Sequence, residues 1–141
     1  MSEASPVVEV TRRVGAPPER AFAAWVDPAL LVRWFCGPKA ERSEAWTCAH
    51  PGGCYLIVMH GEQDWPHSGH PEIVEPPRHL AFSWYTPSTD NQRTDVDVRF
   101  TADGDGTRIE LRHTGLAVDR AGDFDTGWRE LLDRLDGCLD A

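Results

Sequence analysis

The stretch from Ala16 to Pro38, APPERAFAAWVDPALLVRWFCGP, has the aromatic and aliphatic content of one long buried helix but cannot form one. Pro28 stands in its middle, where a proline removes a backbone donor and its ring collides with the preceding turn. The same proline is well placed at the first position of a new helix, with Asp27 before it as N-cap. The stretch therefore predicts two short helices. The first opens at Pro18 and carries Phe22, Trp25 and Val26 on one face. The second buries Leu30, Leu31, Trp34 and Phe35 and stops at Gly37-Pro38.

Before this segment, Pro6 to Val14 reads as a strand with Val8, Val10 and Arg12 on one side. After it come six runs of strand type: Ser43–Cys48, Cys54–His60, His70–Val74, His79–Tyr85, Thr94–Thr101 and Thr107–His113. HPGG (His50 to Gly53), EPP (Glu75 to Pro77) and ADGDG mark turns, and Gly61–Gly69 and Thr86–Gln92 read as loops. Phe124, Trp128, Leu131, Leu132, Leu135 and Leu139 then recur at threes and fours, an amphipathic helix from about Thr126 to Leu139. Strands in sequence with helices at the ends indicate an α+β domain on an antiparallel sheet. One long helix is buried against such a sheet by curving the sheet around it, and the broken pair then closes an open end. With 141 residues, residues 1–141 form a single domain.

Charge excludes several classes of partner. Lys plus Arg total 14 against 23 Asp plus Glu, and Lys39 is the only lysine. An acidic chain without a basic cluster is not built for nucleic acid or for an anionic membrane. The opening MSEASPVVEV has neither a basic nor an apolar region of a signal peptide. No apolar run approaches the length of a membrane span. A cytoplasmic protein with four free thiols, Cys36, Cys48, Cys54 and Cys138, is the expectation.

Strand parity places Val96, Val98 and Phe100 inward on one strand and Ile109, Leu111 and His113 inward on its partner. His113 is thus an ionisable group among hydrophobes. It reads either as a ligand partner or general base, or as a histidine satisfied within the core. Trp25 and Trp128 read first as core packing, while Trp84 lies mid-sheet. Cys54–His60 is apolar on both faces, which points to cover by a second copy; an apolar patch on a monomer is the alternative. Cys48, His50 and Cys54 follow a C-x-H-x3-C spacing that matches no common zinc pattern, so no metal is expected. His67 and His70 lie near Trp65 in a loop, where binding residues are often found, though exposed histidines are more often inert. No nucleophile elbow, phosphate loop or dinucleotide fingerprint is present, and no catalytic residue or cofactor is assigned.

Five stretches in order, VEVTRRVGAPPERAFAAWVDPALLVRWFCGP, GGCYLIVM, GHPEIVEPPRHLAFSW, DGTRIELRHTGL and GWRELLDRL, resemble the START-like superfamily, also called SRPBCC or Bet v 1-like. Within it the chain is similar to the branch named after the activator of the heat-shock-protein-90 ATPase. The likeness covers nearly the whole chain. It departs where many relatives carry a basic, glycine-containing stretch and this chain has HGEQDWPHSGHPEI. The resemblance implies the helix-grip fold, with a cavity between sheet and long helix that often holds an apolar molecule. Members include lipid carriers, plant ligand binders, polyketide cyclases and a cochaperone domain. The implied function is binding of a small hydrophobic or aromatic molecule. Trp84, Phe82, Tyr85, Val96, Val98, Phe100, Leu111, His113, Trp128 and Leu132 are the expected ligand contacts, with His113 and Tyr85 supplying orientation. The alternatives are a polyketide-cyclase-like enzyme with His113 as acid–base, and a chaperone-interacting module, for which no basic surface is evident.

Overall fold

The computed structural model describes residues 6–37 and 40–140. The start of the chain, and Pro38 and Lys39 of the expected helix stop, lie outside the described residues. The elements follow the order β1 (Val8–Val14), α1 (Pro18–Val26), α2 (Pro28–Trp34), β2 (Ala40–Thr47), β3 (Tyr55–Gly61), β4 (Asp64–Gly69), β5 (Pro71–Glu75), β6 (His79–Trp84), β7 (Thr94–Asp103), β8 (Gly106–Thr114) and α3 (Ala121–Asp140). This is the α+β, helix-grip arrangement expected from the sequence.

Pro28 acts as predicted. Asp27 closes α1 through its backbone N–H to Ala23 and opens α2 through its side chain, which accepts from the Ala29 N–H at 2.9 Å. The two helices are fastened across the break: Trp34 Nε1 donates to the Ala24 carbonyl at 2.9 Å. Neighbouring β2 fastens them again, with Thr47 Oγ1 donating to Val26 O at 2.7 Å and Ser43 Oγ to Phe35 O at 2.6 Å. Such bonds satisfy helix-end carbonyls that would otherwise be buried without partners.

The strands form a five-stranded sheet, β1-β8-β7-β6-β5, and a three-stranded sheet, β2-β3-β4, all pairs antiparallel. Gly61–Gly69, expected as a loop, contains strand β4. The reason is alternation: Trp65, His67 and Gly69 pair with Met59, Ile57 and Tyr55 on one face, while Asp64, Pro66 and Ser68 take the other, more exposed face. Proline and histidine within the run masked a period-two pattern.

The two sheets meet at Gly69. Chain 64–75 is nearly one strand whose first part pairs with β3 and whose second part pairs with β6. At the junction Ser68 N–H donates to Tyr85 O at 2.9 Å and Tyr85 N–H to Ser68 O at 2.8 Å, stitching β4 to the end of β6. His70 N–H donates to Ser83 Oγ at 2.9 Å. The corner is so tight that a Cβ on Gly69 would lie 2.0 Å from the Ser83 carbonyl oxygen and 2.6 Å from the Tyr55 hydroxyl.

α3 is anchored to β1 and α1 near its C-terminus. There Arg12 of β1 bonds Asp136 at 2.9 Å and Arg20 of α1 donates to the Leu139 carbonyl at 3.0 Å. Helix α3 opens at Ala121, earlier than the apolar periodicity indicates. β3 is not buried on both faces: Ile57 and Met59 face the core, but Leu56 is 37% exposed opposite Trp46, which is 53% exposed. The homodimer expectation rests on this outer strip alone.

Gly69→Ala is expected to destabilise the fold by about 2–3 kcal/mol in urea denaturation, because backbone rather than a flexible tip occupies the Cβ position. Gly137→Ala in α3, where an added Cβ meets nothing within 4 Å, is expected to gain about 0.5–1 kcal/mol.

Candidate functional site

The space between the sheets and α3 is walled mainly by aromatic rings. From the three-stranded sheet come Tyr55, Ile57, Met59 and His67, all on the inner face by register. Trp84 projects from the end of β6, Trp25 and Trp34 from the broken helices with Phe35 just after them, and Trp128 from α3. Trp128 lies 6.1 Å from Trp25 in a stacked pair, 5.5 Å from Trp84 and 6.3 Å from Phe35, measured between ring centroids. Trp84 and Phe35 are themselves 5.6 Å apart, edge to face. Offset and edge-to-face contacts of this kind suit the ring quadrupoles.

Trp84, Phe35 and Trp128 form a partition with a cavity on each side. The inner cavity, bounded by Trp25, Trp34, Tyr55 and Phe82, has a volume of about 40 Å³, room for about one water molecule. Trp25 Nε1 is buried without a partner. The outer cavity, between the three-stranded sheet and the first half of α3, has a volume of about 200 Å³. Its floor is Phe35, Met59, Trp84, Phe124, Trp128 and Leu131, and its rim carries Thr86, Arg120, exposed Asp123 and exposed Arg134.

Of the ten residues expected to contact a ligand, Trp84 and Trp128 line both cavities and Phe82 lines the inner one. Val98, Phe100, Leu111 and Leu132 are buried core residues that border neither, and Val96 likewise packs in the core. The centre of the grip is filled by Trp25, Trp128 and Phe100, the last two each about 6.1 Å from Trp25, so these positions have no void to face. Tyr85 spends its backbone on the Ser68 bridge and borders neither cavity.

His113 is fully buried and both its ring nitrogens are occupied. Trp128 Nε1 donates to Nδ1 at 3.0 Å, Nε2 donates to Thr94 Oγ1 at 2.8 Å, and Thr94 Oγ1 donates to the Trp84 carbonyl at 2.7 Å. Trp carries only a donor, so the tautomer is set with the proton on Nε2. Burial lowers the His113 pKa to about 4. A neutral ring without a free nitrogen has nothing to offer a substrate, which removes the basis for the acid–base reading. Its work is to hold Trp128 and Trp84 in the partition.

His67, expected as an exposed loop residue, is instead inside, packed 5.1 Å from Phe35 and 5.3 Å from Trp84. Nδ1 donates to the Ile57 carbonyl at 3.2 Å, and the ring borders the outer cavity. Burial lowers its pKa to about 4, which the bond to Ile57 offsets only in part. Burial likewise raises the Tyr55 phenol, whose hydroxyl donates to the Ser83 carbonyl at the sheet corner. Met59, Phe124 and Leu131 were also missed. The first two signals were legible: period two through 64–69, and Phe124 and Leu131 on the apolar stripe of the helix. Among the described residues no cluster of His, Cys, Asp and Glu is arranged to hold a metal ion.

The two buried histidines set a pH dependence. Unfolded imidazoles take up protons near pH 6.5 but the folded ones resist until about pH 4. Stability is therefore undiminished above pH 6.5 and falls on acidification, by about 1.4 kcal/mol per pH unit for each histidine. Urea denaturation between pH 6.5 and 5 is expected to show this slope, roughly halved in His67→Phe; a flat profile would mean that both rings protonate freely in the fold.

The sequence profile of the family described as activator of Hsp90 ATPase homolog 1-like protein matches residues 15–140. Among curated proteins none matches the chain. Solved structures do. Protein CV1439 from Chromobacterium violaceum is 17% identical and superposes with a TM-score of 0.85 over 96% of this chain and 97% of its own. A protein from Rhodobacter sphaeroides is 25% identical, with a TM-score of 0.83 over 98% and 97%. CalU16 from Micromonospora echinospora is 27% identical, with a TM-score of 0.76 over 96% of this chain and 76% of its own. No helix among the described residues is long and apolar enough to cross a membrane. With a profile spanning nearly all of its length and a helix grip shared with these structures, the chain belongs to the activator of Hsp90 ATPase homolog 1-like family.

Proposed function

We propose that the protein binds a small hydrophobic or aromatic molecule in the outer cavity. The observation that carries this reading is a void of about 200 Å³ floored by six apolar residues, Phe35, Met59, Trp84, Phe124, Trp128 and Leu131, in a fold whose centre is otherwise filled. An apolar cavity of about 150 Å³ in a protein interior stays dry and takes up benzene. The outer cavity is larger but open to solvent at its rim, and its apolar floor suits one or two fused rings lying against it. Affinity comes from burying apolar surface at ~25 cal/mol per Å², with the stacked rings adding geometry rather than charge. The rim charges, Arg120 and Arg134 against Asp123 and Glu130, balance and favour no strongly ionic ligand.

This places the ligand one layer outward from the position implied by the superfamily resemblance. The two leucines that follow one another in α3 separate the possibilities. Leu131 floors the outer cavity, whereas Leu132 is fully buried in the core. Naphthalene titrated against tryptophan fluorescence is expected to bind the parent protein. Leu131→Trp should weaken it at least tenfold by filling the cavity. Leu132→Ala should lower stability by about 2–5 kcal/mol, yet leave the dissociation constant within about twofold when measured well below its melting temperature. Equal binding to the parent and Leu131→Trp removes the outer cavity as the site.

A further inference from the structure

The two inward-facing histidines, His113 fully buried and His67 half-buried, are built to opposite specifications. His113 has a partner on each ring nitrogen. His67 has one, at Nδ1, and its Nε2 makes no hydrogen bond among the described residues. The His67 Nε2 is not sealed in the core and reaches accessible space, so an acceptor there is open to a partner.

The ring cannot turn to seek another partner. The Phe35 ring meets it edge-on, at an interplanar angle of 83°, and Trp84 leans on it at 41°. With Nδ1 donating to the Ile57 carbonyl, the proton is on Nδ1 and Nε2 carries a lone pair. That lone pair lies in the wall of a cavity whose remaining floor is apolar. The polar rim also carries Ser88, Arg120 and Glu130. Thr86 is buried and engaged in its own capping box with Thr89, and Asp123 and Arg134 are exposed to solvent.

We propose that His67 is the ligand-orienting acceptor of the chamber, and that the ligand is a one- or two-ring aromatic molecule carrying a hydroxyl or ring N–H donor. This rests on the outer cavity being the binding site. A carboxylate or an ether oxygen would face the Nε2 lone pair with a second lone pair, whereas a phenol or an indole-type N–H pairs with it. Stacking against Trp84 and Trp128 selects planarity, and the fixed acceptor selects the position of the donor on the ring.

The test compares 2-naphthol with naphthalene on the full chain, in the parent and in His67→Phe. In the parent, 2-naphthol should bind at least as tightly as naphthalene. In His67→Phe that preference should fall by about tenfold, with naphthalene retained. Failure of both probes to bind the parent overturns the cavity reading itself and this inference with it. Binding of both with a preference unchanged in His67→Phe overturns the inference and leaves the cavity reading standing. A measurement on the parent avoids any folding defect of the variant: the Nε2 nitrogen-15 resonance of His67 should move toward the hydrogen-bonded value with 2-naphthol and stay in place with naphthalene. No difference between the two probes would overturn the assignment.

Discussion

Trp128 is the contact on which the interior is organised. Its indole stacks on Trp25, meets Trp84 and Phe35, and spends its only donor on His113. Through these rings one side chain of α3 is tied to the broken helices, to the end of β6 and to β8 at once. Each aromatic pair adds about 0.5–1.5 kcal/mol beyond the area it buries. The larger consequence is geometric: a bicyclic ring stacked on Trp25, met by Trp84 and Phe35 and held by a hydrogen bond is fixed in place. That position divides the space inside the grip into a small inner pocket and a roomier outer one.

The outer cavity exists because the sheet turns a corner. A flat continuation of β6 would leave α3 covered on one side only. Gly69 lets the chain between β4 and β5 pass so close to Ser83 that no side chain fits, and the three-stranded sheet swings around to face the first half of α3. Met59 and His67 are brought opposite Phe124, Trp128 and Leu131 by that turn. Chemistry that is specific to this cavity, above all the open Nε2 of His67, thus depends on a glycine with no chemistry of its own.

Local rules read much of the fold correctly. Pro28 with Asp27 before it marked the helix break, the periodicity of Trp128, Leu131, Leu132 and Leu135 marked α3, and alternation placed Val96, Val98 and Leu111 inward. Alternation also exists through Trp65, His67 and Gly69, but Pro66 and the neighbouring glycines gave that segment the composition of a loop. For the site, inward-facing was equated with cavity-facing. The structure separates the two: the inward residues of β7 and β8 touch other side chains and line neither cavity, both of which are bordered instead by residues from β3, β4, β6 and the helices.

What the amino-acid order determined by itself is everything governed by neighbours within a few positions: helix starts and stops, the inward side of each strand, the acidic balance, and the family to which these motifs belong. Where void remains was decided only in the tertiary structure. Packing is a sum over rings from distant elements, and the volume left after Trp25, Trp34, Phe35, Trp84 and Trp128 meet is not a property of any one of them. The difference between His113 and His67 has the same origin. Each is a histidine pointing inward on a strand, but His113 meets Trp128 and Thr94 on its two nitrogens while His67 meets one carbonyl and a cavity.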